Sequence, residues 1–217
     1  VGSEMCIRDR FSAEGEYNCG SIECDSFTSN VSDKASLQRG LSTYMNYCYG
    51  CHSLKYSRYK RVAEDLQIPL EMYQQNLIYD DAKIGELMQI SLSKEDAINW
   101  LGAYPPDLTL EARLRRPNWI YTYMRNFYTD ASRPYGVNNK VYVNVNMPHV
   151  LEDLQNDLSL AEYDSLIYDL TNFMTSTKVQ PYAQYPMSKN AGEKMDLSTK
   201  LFAEMINAIE IEIIIVG

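Results

Sequence analysis

Apolar residues along this chain recur at helical spacing in three stretches. The first stretch covers residues 37–48 and follows two N-cap candidates, Ser32 and Asp33. Gly40 interrupts the apolar pattern, and we expect it to weaken the helix only mildly. The pattern therefore predicts an amphipathic helix with one buried face.

Two further helices are predicted downstream, each with a clear start signal. Pro117 stands at a first-turn position, and the apolar residues of 120–127 follow it at i, i+3, i+4 and i+7. Ser159 and Glu162 form an S-x-x-E capping box, after which one apolar face continues to Phe173. These signals predict where both helices begin.

The pattern between and after these helices is weaker. Shorter helices are predicted at residues 70–79 and 82–90, and residues 141–146 alternate like a short strand without an evident pairing partner. The predicted fold class is mainly α with long loops. Long loops in a domain of this size usually carry function or wrap a large non-protein group.

Length and composition limit the classes of protein that fit. The chain has 217 residues, of which 45% are hydrophobic and 23% charged, as expected for a globular protein with a single core. Its formal net charge of −9 argues against a nucleic-acid-binding surface. Because it has only two histidines, a site that needs several imidazoles is excluded.

The two ends of the chain differ from its middle. Residues 1–31 are predicted to be a polar arm, whose first ten residues resemble a sequencing-adapter read-through and contain no signal-peptide pattern. Residues 175–217 are predicted to be a linker and tail. The tail is apolar but contains Glu210 and Glu212, and it falls short of the ~20 apolar residues that span a bilayer.

A C-x-x-C-H motif carries the candidate chemistry. Cys48 and Cys51 are separated by two residues and followed by His52, which is the attachment pattern of c-type haem. On a helix these three side chains share one side, so two thioethers and an imidazole ligand would reach the same haem. The motif therefore predicts one covalently bound haem c.

Two other readings of the motif are weaker. A zinc site would need further ligands, and only His149, Cys19 and Cys24 could supply them. A thioredoxin-like redox pair would need a βαβ context, which the pattern does not predict.

The second iron ligand has several candidates. Met45 and Met124 lie on apolar helix faces and are expected to fill the core. Met147 stands in a loop fixed by Pro148. His149 is the rival candidate for the second ligand. The residues alone favour Met147, and a methionine ligand suits electron transfer because it raises the reduction potential.

Four motifs in order resemble the bacterial cytochrome c1 family, the haem subunits of the cytochrome bc1 complex. They cover residues 32–40, the C-x-x-C-H motif with residues 53–59, residues 104–109 and residues 146–151. The resemblance runs from about Ser32 to about Met174. It implies a cytochrome c-like helical domain over residues 32–174, with long loops wrapped around one haem.

The resemblance also implies roles for individual residues. Haem c would be bound covalently by Cys48 and Cys51, with His52 as proximal and Met147 as distal ligand. The segment with Pro105 and Pro106 would lie beside the haem and orient the histidine ring through a backbone carbonyl.

A haem-propionate partner is implied as well. The family bears arginines after the proline segment. Arg115 is the expected partner, and Arg113 is a nearly equal candidate. The alternative is that both arginines lie on a solvated helix face.

The implied function is electron transfer as a subunit of ubiquinol–cytochrome c reductase. The chain would accept an electron from the Rieske iron–sulfur protein and pass it to cytochrome c, beside cytochrome b. The alternative is a stand-alone soluble periplasmic c-type cytochrome.

The expected location is the periplasmic side of the inner membrane. The family's membrane anchor and signal peptide are not recognisable in this sequence. In that oxidising compartment Cys19 and Cys24 either form a disulfide or remain free thiols.

An acidic stretch could serve a partner protein. Residues 141–177 contain no Lys or Arg, so we hypothesise that their negative field steers a basic cytochrome c, although a solvated helix face is the equal alternative. The carboxylates are Glu152, Asp153, Asp157, Glu162, Asp164 and Asp169.

Overall fold

The structure is a computed structural model and describes residues 18–79 and 81–177. Most of the predicted polar arm and nearly all of the predicted linker and tail lie outside these residues. The elements in chain order are α1 (Lys34–Thr43), a π-helical turn (Tyr44–Cys48), β1 (Leu54–Arg58), α2 (Tyr59–Asp65), α3 (Leu70–Leu77), β2 (Leu87–Met88), α4 (Lys94–Leu101), α5 (Glu111–Leu114), α6 (Pro117–Arg125), β3 (Phe127–Thr129), β4 (Val137–Asn139), α7 (Glu152–Asp157) and α8 (Leu160–Ser176).

The core is built around the packing of α1 on α8. The Asp33 side chain accepts a hydrogen bond from the Ser36 amide and begins α1, as predicted. Gly40 does more than weaken this helix, because a Cβ at this position would lie 2.0 Å from the Asp169 carbonyl oxygen of α8. The glycine lets the two backbones approach closely. Tyr44 and Phe173 then pack with ring centroids 5.7 Å apart.

The other two predicted helices are confirmed. The side chain of Ser159 accepts from the Glu162 amide and the Glu162 carboxylate accepts from the Ser159 amide, so the capping box is complete at the start of α8. Pro117 occupies the first turn of α6, as its fixed φ favours. That helix ends at Arg125, and Phe127 begins β3 instead of extending the helix.

The helix predicted at residues 82–90 was wrong. Its place is taken by turns and by β2, which pairs antiparallel with β1. The reason lies in a distant segment, because the amide of Lys60 donates to the Ile84 carbonyl at 2.7 Å and that of Tyr59 to the Glu86 carbonyl at 3.2 Å. These bonds hold residues 84–86 against the start of α2. They engage carbonyls that a helix would need for its own hydrogen bonds.

The strand predicted at residues 141–146 was also wrong. Its backbone is a loop in which Asn144 has φ +63, and the strand pairing lies earlier, between β3 and β4. The Asn139 side chain accepts from the amide of Val141 at 2.8 Å. A side-chain hydrogen bond thus replaces the backbone bond that a neighbouring strand would supply. The alternation in the sequence reflects a loop that buries Val141 and Val145 and exposes Val143.

The described part of the polar arm, residues 18–31, is an irregular segment that lies on the helices. A disulfide joins Cys19 to Cys24, so these two cysteines are not free thiols. Asp25 forms an ion pair with Arg125 at 2.7 Å, and Asn30 is hydrogen-bonded to Asn172 of α8. Among residues 18–79 and 81–177, no helix is long and apolar enough to cross a membrane.

Candidate functional site

One cavity of about 380 Å³ brings the predicted site residues together. It lies between the turn after α1, the loop after α4, helix α6 and the loop before α7. Its volume is within the range of cofactor sites. All seven site residues predicted from the sequence line it: Cys48, Cys51, His52, Pro105, Pro106, Arg115 and Met147.

The C-x-x-C-H motif forms a single tight turn at the end of the first helix. The π-helical turn ends at Cys48, whose carbonyl accepts from the amides of Cys51 at 3.1 Å and His52 at 2.9 Å. π-Helical turns are frequent at functional sites. Both cysteines are free thiols, and burial raises the pKa of Cys48 to about 12. The two sulfurs are therefore available for covalent attachment, and Cys48 is held as a neutral thiol.

The ring of His52 is fixed by a backbone carbonyl. Its Nδ1 lies 2.7 Å from the Pro106 oxygen. A carbonyl can only accept, so Nδ1 carries the proton and Nε2 is left with a free lone pair. Burial lowers the pKa of His52, while the Pro106 carbonyl and the Asp107 carboxylate oppose that shift. Desolvation thus favours the neutral imidazole, which is the form that coordinates a metal.

The loop with this carbonyl is attached to β1 by Asp107. Its carboxylate accepts from the Lys55 amide at 2.7 Å and from the Thr109 amide at 3.1 Å. The Leu108 amide donates to the carbonyl of Ser53 at 2.9 Å. These bonds fix the Pro106 carbonyl relative to the turn that presents His52.

Met147 and His149 occupy different environments although they are two residues apart. Met147 lines the cavity, and its Sδ accepts a hydrogen bond from the hydroxyl of Tyr123 at 3.5 Å. His149 is not among the lining residues. Its ring stacks on Phe127 at 4.6 Å, and its Nε2 donates to Gln155 at 2.5 Å. The structure therefore presents the thioether to the cavity and turns the imidazole away from it.

The two candidate arginines are also separated by the fold. Arg115 lines the cavity, forms an ion pair with Glu111 at 3.4 Å and lies over the Trp119 ring at 4.7 Å. Arg113 is exposed and is not among the lining residues. Only Arg115 is positioned to meet a charged group at the cavity.

An aromatic wall of this cavity was not predicted from the sequence. Trp119 and Tyr123 stack on each other on α6, with centroids 5.0 Å apart and rings 9° from parallel. Tyr142 lies opposite Arg115, at 5.8 Å from its guanidinium. The i, i+4 spacing of the two α6 aromatics was a usable signal for a second face of the helix. Met124 is buried in the core as predicted, and it also lines the cavity.

The zinc reading of the motif finds no support in the described residues. Cys19 and Cys24 are joined to each other, and His149 is engaged elsewhere. Residues 18–79 and 81–177 contain no group of three His, Cys, Asp or Glu side chains arranged to hold a metal ion. The donor set instead fits haem c, because two free thiols, an imidazole with an available Nε2 and a thioether line the same cavity.

A helix-rich chain with this donor set around one cavity has the features of a c-type cytochrome. The Cytochrome C1 family matches residues 25–205, and the chain belongs to this family. The match continues past Met174, so it covers more of the chain than the four motifs did. Family membership confirms the predicted electron-transfer role in the cytochrome bc1 complex and the predicted covalent haem c.

Two relatives illustrate the range of similar proteins. The chain is 44% identical over 183 residues to cytochrome c1 of Allochromatium vinosum. The aligned region covers 72% of this chain and 75% of that protein. It is 34% identical over 181 residues to the ammonia monooxygenase gamma subunit of Nitrosomonas europaea, covering 76% of each.

Proposed function

We propose that this chain accepts single electrons from the Rieske iron–sulfur protein and passes them to cytochrome c, as the haem subunit of ubiquinol–cytochrome c reductase beside cytochrome b. The observation that supports this proposal is the shared cavity, which brings the C-x-x-C-H turn and Met147 together from segments almost a hundred residues apart. In each cycle one electron enters and one leaves, and the chain itself makes or breaks no substrate bond.

The proposed haem attachment assigns a role to each donor. The free thiols of Cys48 and Cys51 would hold the haem covalently as thioethers, an addition to its vinyl groups that needs no oxidant. His52 Nε2 would serve as the proximal ligand and Met147 Sδ as the distal one. When bound, the haem supplies reversible one-electron exchange between ferric and ferrous iron.

The surrounding residues set the conditions for that exchange. The Pro106 carbonyl holds the proximal ring in one orientation, and Pro105 forms the adjacent cavity wall. The stacked rings of Trp119 and Tyr123 exclude water from another wall. A thioether ligand and an apolar wall both favour the less charged ferrous state, so together they raise the reduction potential. Arg115 is the proposed propionate partner.

The acidic surface is smaller than the sequence suggested. Asp169 is buried and pairs with Arg39 at 2.6 Å, and Asp164 pairs with Arg125 at 2.7 Å. The exposed carboxylates of α7 and of the start of α8 remain to steer a basic cytochrome c. They are Glu152, Asp153, Asp157 and Glu162.

The proposed organisation is a haem domain over residues 32–174 that faces the periplasm from the inner membrane. Residues 1–31 precede this domain in the sequence, and residues 175–217 follow it. Fractionation of membranes from cells that express the chain tests this location.

Optical spectroscopy tests the haem assignment. The chain is produced with haem-maturation machinery, stained for haem after denaturing electrophoresis and measured oxidised and dithionite-reduced. We expect covalent haem with a low-spin spectrum that Met147→Leu changes. A colourless protein contradicts the assignment. Co-purification with cytochrome b and the Rieske protein distinguishes the complex subunit from a stand-alone carrier.

A further inference from the structure

The loop that presents Met147 is held by one arginine from outside the cavity. Nη2 of Arg133 lies 2.8 Å from the carbonyl oxygen of Asn144, 3.1 Å from that of Val145 and 2.9 Å from Oδ1 of Asn146. These three residues immediately precede Met147. A single guanidinium thus contacts the whole approach to the sulfur, and Arg133 itself is not among the residues that line the cavity.

Arg133 is itself fixed in the turn between β3 and β4. Its amide donates to the carbonyl of Asp130 at 3.0 Å, and its carbonyl accepts from Gly136 at 3.0 Å. The Asp130 carboxylate accepts from Ser132 Oγ at 2.6 Å and from Asn138 Nδ2 at 2.9 Å. The backbone that carries the guanidinium is therefore tied to the hairpin at several points, which makes the hairpin a firm base for the contact.

Side chains hold this loop in a strained backbone conformation. Asn144 has φ +63, a left-handed conformation that costs energy for a residue with a side chain. The amide of Asn144 is satisfied by the side chain of Asn138 at 2.9 Å, and its carbonyl by Arg133. Charge-assisted donors of this kind are stronger than neutral ones. Removing the guanidinium would leave two carbonyls and an amide oxygen without this donor.

We propose that Arg133 is a positioning residue for the Met147 thioether, which it holds at the cavity by fixing residues 144–146. The proposal rests on the proposed role of Met147 as the distal ligand. Without Arg133 the loop leaves its present conformation more often, and the sulfur leaves the cavity with it. A small external ligand can then compete for the vacated position. If Arg133 contributed only to overall stability, its removal would not increase that competition.

Carbon monoxide is the probe for that competition. The full chain with covalent haem is reduced, and its apparent affinity for carbon monoxide is measured for the parent, Arg133→Met and Arg133→Lys. Apparent affinity scales with the fraction of protein in the competent, sulfur-free state. Loss of charge-assisted hydrogen bonds is expected to raise that fraction about tenfold in Arg133→Met. Arg133→Lys keeps the charge and is expected to show a smaller increase.

Arg58→Met is the matched control. Arg58 also donates to a backbone carbonyl, that of Gly85 at 2.7 Å, but in a loop that does not lead to Met147. It should leave carbon monoxide affinity unchanged even if it lowers the unfolding temperature.

The outcomes separate the proposal from its premise. Met147→Leu should bind carbon monoxide far more tightly than the parent. If it does and Arg133→Met binds like the parent, the positioning role is overturned while the ligand assignment stands. If Met147→Leu also binds like the parent, the ligand assignment fails and the positioning role fails with it. If Arg133→Met does not fold, Arg133→Lys decides by the same comparison.

Discussion

The hydroxyl of Tyr123 donates to the sulfur of Met147 across 3.5 Å. Burial raises the pKa of Tyr123 well above its ordinary value, so the phenol stays protonated and remains a donor. Its ring is held by Trp119 on one side, in a near-parallel stack, and by the edge contact with Phe127. The aromatic wall is therefore rigid, and the Tyr123 hydroxyl at its edge contacts the Met147 sulfur that is proposed to bind iron.

Replacing Tyr123 by Phe removes this donor and leaves the ring. A hydrogen bond to the sulfur withdraws electron density and disfavours the oxidised, more positive iron. Its loss should therefore lower the reduction potential. A weak hydrogen bond of about 0.5–1 kcal/mol corresponds to a shift on the order of 20 to 40 mV for a one-electron couple. Redox titration of the haem-loaded chain measures it.

Tyr121→Phe is the control for that substitution. Tyr121 lies on the same helix but packs on Phe27 and Arg125, and it does not line the cavity. Equal shifts in the two variants would show that the bond to Met147 has no specific effect on the potential.

Asp107 supports the proximal side of the site in a comparable way. Asp107→Ala removes the acceptor for two backbone amides, those of Lys55 and Thr109. Amides left without a partner should lower the free energy of unfolding by about 1–3 kcal/mol. Denaturant unfolding of the haem-loaded chain provides the measurement. Asp65→Ala, which removes only an exposed ion pair with Arg61, should cost much less; similar losses would contradict the role.

Short-range patterns in the sequence predicted the parts of the site that are local in the chain. The C-x-x-C-H turn lies within five residues, and the cap at Asp33 and the capping box at Ser159 each lie within four. Such features depend on neighbours along the chain, so their geometry follows from residue type and spacing. The side of the cavity formed by Met147 was located because a proline follows it and because the family resemblance supported it.

Features that depend on distant segments could not be predicted in this way. The helix expected at residues 82–90 is displaced by backbone bonds to Tyr59 and Lys60, which lie more than twenty residues earlier. The contact of Arg133 with Asn144 joins two loops that carry no common motif. The need for Gly40 became visible only when α8 was in place. In each case the deciding partner is set by tertiary packing.

Gly40→Ala tests the close approach of α1 and α8. A methyl group would meet the Asp169 carbonyl oxygen at 2.0 Å, and neither backbone can move without disturbing the core. Although alanine favours helix over glycine, the clash should dominate and cost at least about 1–3 kcal/mol. Thermal unfolding measures it. Gly85→Ala is the control, because a Cβ there meets nothing within 4 Å. Unchanged stability of Gly40→Ala would refute this close approach of the two helices.

The Asp130 turn predicts a pH dependence. Hydrogen bonds from Ser132 and Asn138 lower the pKa of Asp130 below its unfolded value. A depressed pKa contributes stability that is present above the unfolded pKa of about 4 and is lost as pH falls through the folded value. Asp130→Asn should therefore unfold with a shallower acid dependence than the parent below about pH 4. Identical slopes for Asp130→Asn and the parent would contradict the prediction.

Arg115 and Arg113 form a natural pair for testing the propionate contact. They are two residues apart and carry the same charge, but only Arg115 lines the cavity. A cation close to the haem disfavours the more positive oxidised state, so removing it should lower the reduction potential. For a partly exposed charge at this boundary the shift should be on the order of tens of millivolts and should shrink as salt is added.

Arg115→Gln should therefore lower the potential, and Arg113→Gln should leave it nearly unchanged. A general loss of positive charge would shift both equally, which would argue against a specific contact. Arg115→Lys separates charge from geometry, because lysine keeps the charge and loses the planar fork that pairs with a carboxylate. If Arg115→Lys restores the parent potential, charge alone is sufficient. If it behaves like Arg115→Gln, the guanidinium geometry over Trp119 carries the effect.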